Sequence, residues 1–251
     1  IDDSGLTLYD VAERANFSTE ANATNRLLTY AGGGIEFSTA VYMPYGIIGP
    51  SDAWASIHAG DQYFLWCVYW RLPSAANFFP DNANGYMHVN SGMDVNGSYI
   101  SHTDPLSIFQ LNGDTLTARR QIAVGASAAN ATLLSHTITS DYYDKLCQVA
   151  VWRNAAGHGF RIKSADNEAT VTAPVGDDSA LDFSGAVPVW GVQSAFIQAG
   201  SANGIAAGNY RLYRSFLEDI GASGRDPVAV LDADWSRVQA RITASGGIIF
   251  V

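Results

Sequence analysis

Two short loops carry clusters of side-chain oxygens that could bind a hard cation or sugar hydroxyls. Asp81, Asn82 and Asn84 fall within the segment DNANG, and Asp94 and Asn96 fall within DVNG. Carboxylate and amide oxygens are the ligands that Ca²⁺ prefers in proteins. The same residue types are common turn formers, because their side chains bond to nearby backbone and tolerate left-handed geometry. Two interpretations therefore stay open, a turn-forming role and a calcium or glycan contact, and calcium is the only cofactor that the sequence suggests.

Aromatic residues in turn-rich segments form a second group with binding chemistry. Tyr86 follows the first of these loops, and Tyr142 and Tyr143 stand together between Asp141 and Asp144. Rings exposed in such positions stack on sugars or anchor a partner protein. The same rings could instead cap the core, and both interpretations stay open. Other aromatic residues in similar contexts are Trp54, Phe78 and Phe79.

The sequence lacks the patterns that catalysis usually requires. It contains no G-x-S-x-G elbow, phosphate-binding loop, H-E-x-x-H helix or dinucleotide fingerprint, and its 5 histidines are scattered without ligand spacing. Glycoside hydrolases need two carboxyls facing each other across the sugar bond. The adjacent Glu218 and Asp219 would point to opposite faces of a strand, and Asp232 and Asp234 fall in a predicted helix. We therefore expect no enzymatic activity.

The charge and hydropathy of the chain exclude two classes of partner. Its 251 residues include 24 acidic and 14 basic side chains, for a net charge of -10. Nucleic-acid binding needs clustered Lys and Arg, yet Lys145 and Lys163 are the only lysines. No apolar run approaches the roughly 20 residues that span a bilayer. Residues 1–18 show no basic start followed by an apolar stretch, so a signal peptide is either absent or already removed.

Apolar patterning predicts a fold made mostly of strands. Residues 62–72 (QYFLWCVYWRL) are apolar on both alternating faces, as in a central strand covered on both sides. Residues 146–153 and 160–163 predict a hairpin joined by the glycine-rich turn 154–159. Cys67 and Cys147 lie within these apolar runs, which indicates two buried free thiols, with a disulfide as the alternative. Further strands are predicted at 35–43, 107–111, 116–124, 187–198 and 210–217.

One segment has helical rather than strand periodicity. Asp226 can cap a helix that starts at Pro227, and apolar residues follow at helical spacing, which predicts a short helix over 226–239. We expect an all-β, antiparallel two-sheet jelly-roll sandwich with this one short C-terminal helix. Residues 1–251 are expected to form a single domain, with 1–34 as an N-terminal arm or edge strand and 240–251 as a C-terminal strand or tail.

Three motifs follow one another in an order shared with a known superfamily. They are a W-x-x-x-W strand from Trp66 to Trp70, the strand-turn-strand VAVWRNAAGHGFRIK at 149–163, and YRLYRSFLEDI at 210–220 leading into a helix. This order resembles the concanavalin A-like, laminin G-like jelly-roll superfamily. The segment 210–238 also looks like the C-terminal part of such domains in bacteriophage virion proteins, where they serve as decoration, fibre or tail modules. The E-x-D-x-x-E strand of the glucanase branch and the R-x-E-L-R and Q-[IV]-H strands of alginate lyases are absent here.

These features together predict a non-enzymatic structural or adhesion module on the surface of a phage virion. Its expected partners are another virion protein, further copies of itself in a trimer, or a host-surface glycan. A secreted calcium-dependent lectin-like domain is one alternative, and a polysaccharide hydrolase or lyase with an unrecognised site is another. The predicted ligand-binding residues are Asp81, Asn82, Asn84, Tyr86, Asp94, Asn96, Tyr142 and Tyr143.

Overall fold

A computed structural model of the chain describes residues 28–31, 33–37, 46–48, 53–75, 85–90, 106–111, 114–121, 131–175, 187–191 and 210–244. The strands within these ranges are β1 (Leu28–Ala31), β2 (Gly34–Phe37), β3 (Gly46–Ile48), β4 (Phe64–Arg71), β5 (Gly85–Asn90), β6 (Leu106–Leu111), β7 (Thr115–Gln121), β8 (Ala131–Thr137), β9 (Leu146–Asn154), β10 (Gly157–Lys163), β11 (Glu168–Pro174), β12 (Val187–Gly191) and β13 (Tyr210–Asp219). The helices there are α1 (Ala55–Ala59), α2 (Ile220–Ser223) and α3 (Pro227–Ala244).

The strands form two antiparallel sheets that pack face to face. The seven-stranded sheet has the order β1-β2-β13-β4-β9-β10-β11, and the six-stranded sheet has the order β3-β12-β5-β6-β7-β8. Helix α3 covers the outer face of the seven-stranded sheet, which is the face turned away from the other sheet. The predicted all-β, two-sheet jelly-roll sandwich with a C-terminal helix is therefore confirmed.

Strand β4 is the central strand that its doubly apolar sequence predicted. Its alternate side chains enter two separate cores, because successive residues of a strand point to opposite faces. One core lies between the sheets, where the ring of Trp66 meets those of Trp54 and Trp190 at centroid distances of 5.7 and 5.9 Å. The other core lies under α3. The residues of β4 in the first core are Phe64, Trp66, Val68 and Trp70, and those in the second are Leu65, Cys67 and Tyr69.

The two cysteines illustrate the same separation. Both thiols are free and buried, which confirms that prediction. Cys67 belongs to the core under α3, whereas Cys147 belongs to the core between the sheets. A disulfide between them, the alternative interpretation, is wrong because the sheet itself separates the two side chains.

Helix α3 begins as predicted and ends later. The Ala229 N–H donates to the Asp226 carboxylate at 2.8 Å, which is the expected N-cap. The helix continues through Ala244, so the prediction of a strand or tail from 240 is wrong for 240–244, and residues 245–251 lie outside the described residues. Its buried apolar stripe consists of Val230, Leu231, Trp235 and Val238. Among the described residues no helix is long and apolar enough to cross a membrane.

The hairpin of β9 and β10 has a shorter turn than the sequence predicted. Its second strand begins at Gly157 rather than at 160, so only residues 155–156 form the turn. The Asn154 side chain stabilises this turn by accepting the N–H groups of Ala156 and Gly157 at 3.0 and 3.2 Å. Gly159 is extended and directly opposite Trp152, whose ring occupies the space where a Cβ on Gly159 would lie. Gly159 therefore makes room for the Trp152 ring instead of forming part of a loop.

Two carboxylates of α3 connect it to the sheet. Asp234 is buried and accepts hydrogen bonds from Tyr69 at 2.9 Å and from Arg214 at 2.8 Å. Asp232 accepts from Arg161 at 2.6 Å, and the Arg161 side chain is completely buried. The helix is thus held by charge-assisted hydrogen bonds both within its buried face, at Asp234, and beside that face, at Asp232.

Candidate functional site

Most of the predicted ligand-binding residues fall outside the part of the chain that the structure describes. The five that lie outside the described residues are Asp81, Asn82, Asn84, Asp94 and Asn96. For Tyr86 only its place in β5 is described. Among the described residues, no three or more His, Cys, Asp or Glu side chains are grouped to hold a metal ion. Calcium or glycan binding by the two loops stays a prediction.

The predicted pair of adjacent tyrosines is described, and one of them is in the core. Tyr142 has 0% exposure, its ring meets that of His136 edge-on at 5.6 Å, and burial raises its pKa to about 12. A ring in that position cannot stack on a sugar, so the core-capping interpretation is the correct one for Tyr142. The same holds for Trp54, which is also 0% exposed. Tyr143 is half-buried and packs against the core.

The turn that carries these tyrosines helps to form a pocket at the end of the seven-stranded sheet. We call it the strand-end pocket, and its volume is about 200 Å³. Glu36, Arg211 and Arg71 contribute to it from three adjacent strands, where they are directly opposite one another in register. The full lining is Glu36, Arg71, Leu72, Ser74, Asp144, Tyr210 and Arg211.

Charges of opposite sign are paired within the strand-end pocket. Arg211 donates to the Glu36 carboxylate at 2.8 Å, and this hydrogen bond raises the pKa of Arg211. Arg71 donates its Nε–H to the backbone carbonyl of Asp144 at 3.2 Å, and its guanidinium lies 4.0 Å from the Asp144 carboxylate. Two arginines and two carboxylates leave the pocket with no net formal charge.

Backbone hydrogen bonds fix Asp144 against the end of β4. The Asp144 N–H donates to the Pro73 carbonyl at 3.3 Å, and the Leu72 N–H donates to the Lys145 carbonyl at 3.3 Å. Asp144 has a φ of 57°, a left-handed conformation that Asp and Asn tolerate better than most residues. On the far side of the turn, Ser164 donates to the Asp141 carbonyl at 2.7 Å. The turn is therefore held at both ends, and Asp144 has a fixed position in the pocket.

The pocket offers both hydrogen-bond donors and acceptors in a small volume. Carboxylates accept, guanidinium groups donate, and the Ser74 hydroxyl can do both. The volume is below the roughly 300–1,000 Å³ of sites that enclose drug-sized ligands. This arrangement suits a small hydroxyl-rich group such as one sugar unit of a glycan.

The sequence pointed to one residue of this pocket and missed the others. Asp144 directly follows the predicted tyrosines in the sequence, whereas Glu36, Arg71 and Arg211 lie far apart in the sequence and meet only through the register of β2, β13 and β4. The one available signal was the position of Arg71, immediately before the Leu-Pro that ends a strongly apolar strand.

No family model and no curated protein matches the chain. Among solved structures, the full-length tailspike protein 2 of Escherichia coli O157:H7 bacteriophage CAB120 is 12% identical over 73% of this chain and 22% of its own, with a TM-score of 0.43. The legume lectin-like domain from Entamoeba histolytica is 9% identical over 77% and 87%, with a TM-score of 0.46. The family 7 alginate lyase A1-II′ is 10% identical over 76% and 79%, with a TM-score of 0.41.

The extent of these likenesses is limited. This chain spans about a fifth of the length of the tailspike protein. Identities of 9–12% carry nothing about ligand or activity over to this chain.

Proposed function

We propose that this chain is a non-enzymatic adhesion module of a bacteriophage virion that binds a neutral host-surface glycan through the strand-end pocket. The observation that supports the glycan part is the meeting of fixed donors and acceptors from β2, β4, β13 and the turn at Asp144 in one concave site. Sites placed on strands are held more precisely than sites on loops, which lowers the entropy cost of binding.

Arg71 and Asp144 have hydrogen-bonding capacity left for a ligand. Among the described residues, Arg71 donates only its Nε–H in a hydrogen bond, to the Asp144 carbonyl, and its side chain is 37% exposed. The Asp144 carboxylate accepts no hydrogen bond from the described residues and is 58% exposed. A guanidinium fork beside a carboxylate can engage two neighbouring sugar hydroxyls, one as acceptor and one as donor.

The two carboxylates of the strand-end pocket are placed to accept hydrogen bonds. Glu36 faces Arg211 and Asp144 faces Arg71. A carboxylate beside a guanidinium serves as a hydrogen-bond acceptor, which is the role that a binding site requires.

Placement on a virion is supported by the motif resemblance of residues 210–238. Proteomics of purified phage particles, followed by antibody labelling in electron microscopy, tests this part. We expect the chain on the particle surface, with neighbouring virion proteins or two further copies of itself in contact. Finding the chain only in the lysate and never on particles would contradict this placement.

Glycan binding is tested by titrating the purified chain with a panel of neutral oligosaccharides while assaying the same mixtures for new reducing ends. Asp144→Asn keeps the left-handed backbone and one side-chain oxygen, and we expect it to weaken binding about tenfold through loss of a charge-assisted bond. Arg225→Ala is the control for a change elsewhere on the surface, because Arg225 is 57% exposed and pairs with Glu218 outside the pocket. Unchanged affinity of Asp144→Asn would contradict the assigned site, and oligosaccharide cleavage would contradict the non-enzymatic role.

A repeat of the titrations with EDTA tests the lectin alternative. Binding through the strand-end pocket needs no metal and is expected to survive chelation. Loss of binding in EDTA would instead favour calcium held by the predicted ligand segments 81–84 and 94–96.

A further inference from the structure

A second concave site lies beside helix α3 on the outer face of the seven-stranded sheet. We call it the arginine pocket. It has a volume of about 270 Å³ and is lined by Arg214, Asp234, Arg237, Val238 and Arg241. Three guanidinium groups and one carboxylate give this pocket a formal charge of about +2, whereas the whole chain has a net charge of -10. The pocket is therefore a positively charged site on a protein that is acidic as a whole.

Arg214 is held in place before any ligand arrives. Its Nη1 donates to both carboxylate oxygens of Asp234 at 2.8 Å. Its guanidinium also lies over two rings, 5.8 Å from the centroid of Tyr69 and 5.2 Å from that of Phe216. These contacts leave Nε and Nη2 without a hydrogen bond to any described residue, and the side chain is 41% exposed. Arg214 therefore has a fixed orientation and unused donors.

Asp234 does not compete with an incoming anion for these donors. Its carboxylate is 3% exposed and already accepts from Tyr69, Arg214 and Arg237. A buried acceptor that is satisfied in this way acts as a support that positions the arginines.

Arg237 and Arg241 bring two further positive charges to the same place. They are one helical turn apart on α3, so their side chains lie on one face of the helix. Arg237 is 66% exposed, and its one polar contact with the described part of the chain is the 3.3 Å contact to Asp234. Arg241 makes no hydrogen bond or ion pair with the residues that the structure describes. Neither side chain is needed to stabilise the fold in the way that Arg214 is.

We propose that the arginine pocket binds one oxyanion group, the carboxylate of a uronic acid or a sulfate ester. Guanidinium groups bind such groups through two parallel N–H···O bonds, which a point charge such as lysine cannot provide. Three arginines in one cavity match an anion with two or three oxygens. This site is separate from the strand-end pocket, and the proposal does not rest on the neutral-glycan function.

The test uses the full chain, titrated at constant ionic strength with inorganic sulfate, with a sulfated tetrasaccharide and with a uronic-acid tetrasaccharide. Binding is followed by NMR through the arginine side-chain N–H signals. We expect saturable shifts at Arg214, and a loss of affinity of about tenfold or more in Arg241→Gln, since a charge-assisted hydrogen bond is removed. Arg225→Gln changes the net charge equally outside the pocket and is expected to retain wild-type affinity.

The outcomes separate the sources of the anion and decide the proposal. Tighter binding of either tetrasaccharide than of sulfate assigns a glycan-borne group, and equal affinity assigns a free ion, both in support of an oxyanion site. If Arg241→Gln and Arg225→Gln lowered the affinity for the anion equally, the loss would be explained by net charge alone and the proposal would be overturned. The absence of saturable shifts at Arg214 would overturn it as well. Asp144→Asn is expected to leave sulfate binding unchanged, so failure here is distinguishable from failure of the strand-end pocket.

Discussion

The hydroxyl of Tyr69 donates a hydrogen bond of 2.9 Å to the buried carboxylate of Asp234, which joins the central strand of the sandwich to its C-terminal helix. Gln148 on the next strand donates to the same hydroxyl at 2.7 Å and to the Leu231 carbonyl at 3.0 Å. Burial raises the pKa of Tyr69, as does the neighbouring carboxylate, so the phenol remains a donor at all ordinary pH values. One hydroxyl thus connects two strands and a helix.

Tyr69→Phe is expected to loosen this connection. The substitution removes one donor from Asp234 and leaves Gln148 without one of its acceptors, both in buried surroundings. We expect a loss of about 1–3 kcal/mol in the free energy of unfolding, the usual cost of an unsatisfied buried polar group. Urea denaturation followed by tryptophan fluorescence measures it.

Tyr63→Phe is the matched control for that experiment. Tyr63 is half-buried beside the same core, and its hydroxyl forms no hydrogen bond with the described residues. A change below about 0.5 kcal/mol is expected for this variant. Equal losses in the two variants would show that the Tyr69 hydroxyl has no special role.

Gly159→Ala is expected to disrupt the packing of Trp152. A Cβ at position 159 would lie 2.0 Å from two atoms of the Trp152 ring, which is buried under α3. Because the Trp152 side chain is 4% exposed and packs in the core under α3, we expect a loss of about 2 kcal/mol or more from overpacking. Thermal or urea unfolding checks this value.

Gly60→Ala serves as the comparison for Gly159→Ala. A Cβ there would be 3.5 Å from its nearest neighbour, the Ser56 carbonyl oxygen, and the backbone φ of -101° is open to any residue. We expect a change within about 0.5 kcal/mol. A Gly159→Ala protein as stable as Gly60→Ala would contradict the close contact with Trp152.

The elements that the sequence predicted well are those with strong local patterns. Strand β4 is apolar at every position from 64 to 70, and α3 combines a capping Asp, a proline and a helical stripe. The sequence did not predict β3, β5, β8 or β11. Of these, β3, β8 and β11 are outermost in the described sheets, whereas β5 lies inside the six-stranded sheet. In β11, every second residue is exposed, and the inward face carries the small side chains of Ala169 and Ala173, so its hydrophobicity contrasts only weakly with that of the Thr-bearing outer face.

The candidate sites were less predictable because they depend on register. Glu36 and Arg211 are 175 residues apart in sequence, and nothing local indicates that they pair. Tyr142 has neighbours typical of an exposed turn, yet two backbone bonds to the Thr139 carbonyl, from Tyr142 and Tyr143, shape a turn in which the Tyr142 ring is buried. A single sequence does not distinguish these outcomes.

The anchoring of α3 through Asp232 is expected to depend on pH. The hydrogen bond from Arg161 lowers the pKa of Asp232, so this carboxylate contributes stability that is fully present above its unfolded pKa of about 4 and is lost as the pH falls through the lower folded value. Asp232→Asn removes the contribution at every pH. Urea unfolding from pH 6 to pH 2.5 is expected to show the two proteins differing most above pH 4 and converging below it. A difference that grows with acidification would contradict this role.

The two buried thiols provide a measure of how α3 detaches from the sheet. Burial raises the pKa of both Cys67 and Cys147, and the thiolate is the form that reacts with alkylating reagents. We therefore expect neither thiol to react with iodoacetamide at pH 8 in the native protein, and both to react after denaturation. Rapid labelling of the native chain would contradict this burial.

The positions of the thiols make the labelling selective for one kind of opening. Cys67 lies under α3, whereas Cys147 lies between the sheets, so a local detachment of the helix exposes only Cys67. Tyr69→Phe weakens the hydrogen bonds that hold α3, and we expect it to accelerate labelling of Cys67 several-fold more than that of Cys147. Mass spectrometry of the two cysteine peptides during a time course measures both rates. Parallel acceleration would mean that the helix and the sandwich open only together, and that the bond from Tyr69 to Asp234 stabilises the whole fold.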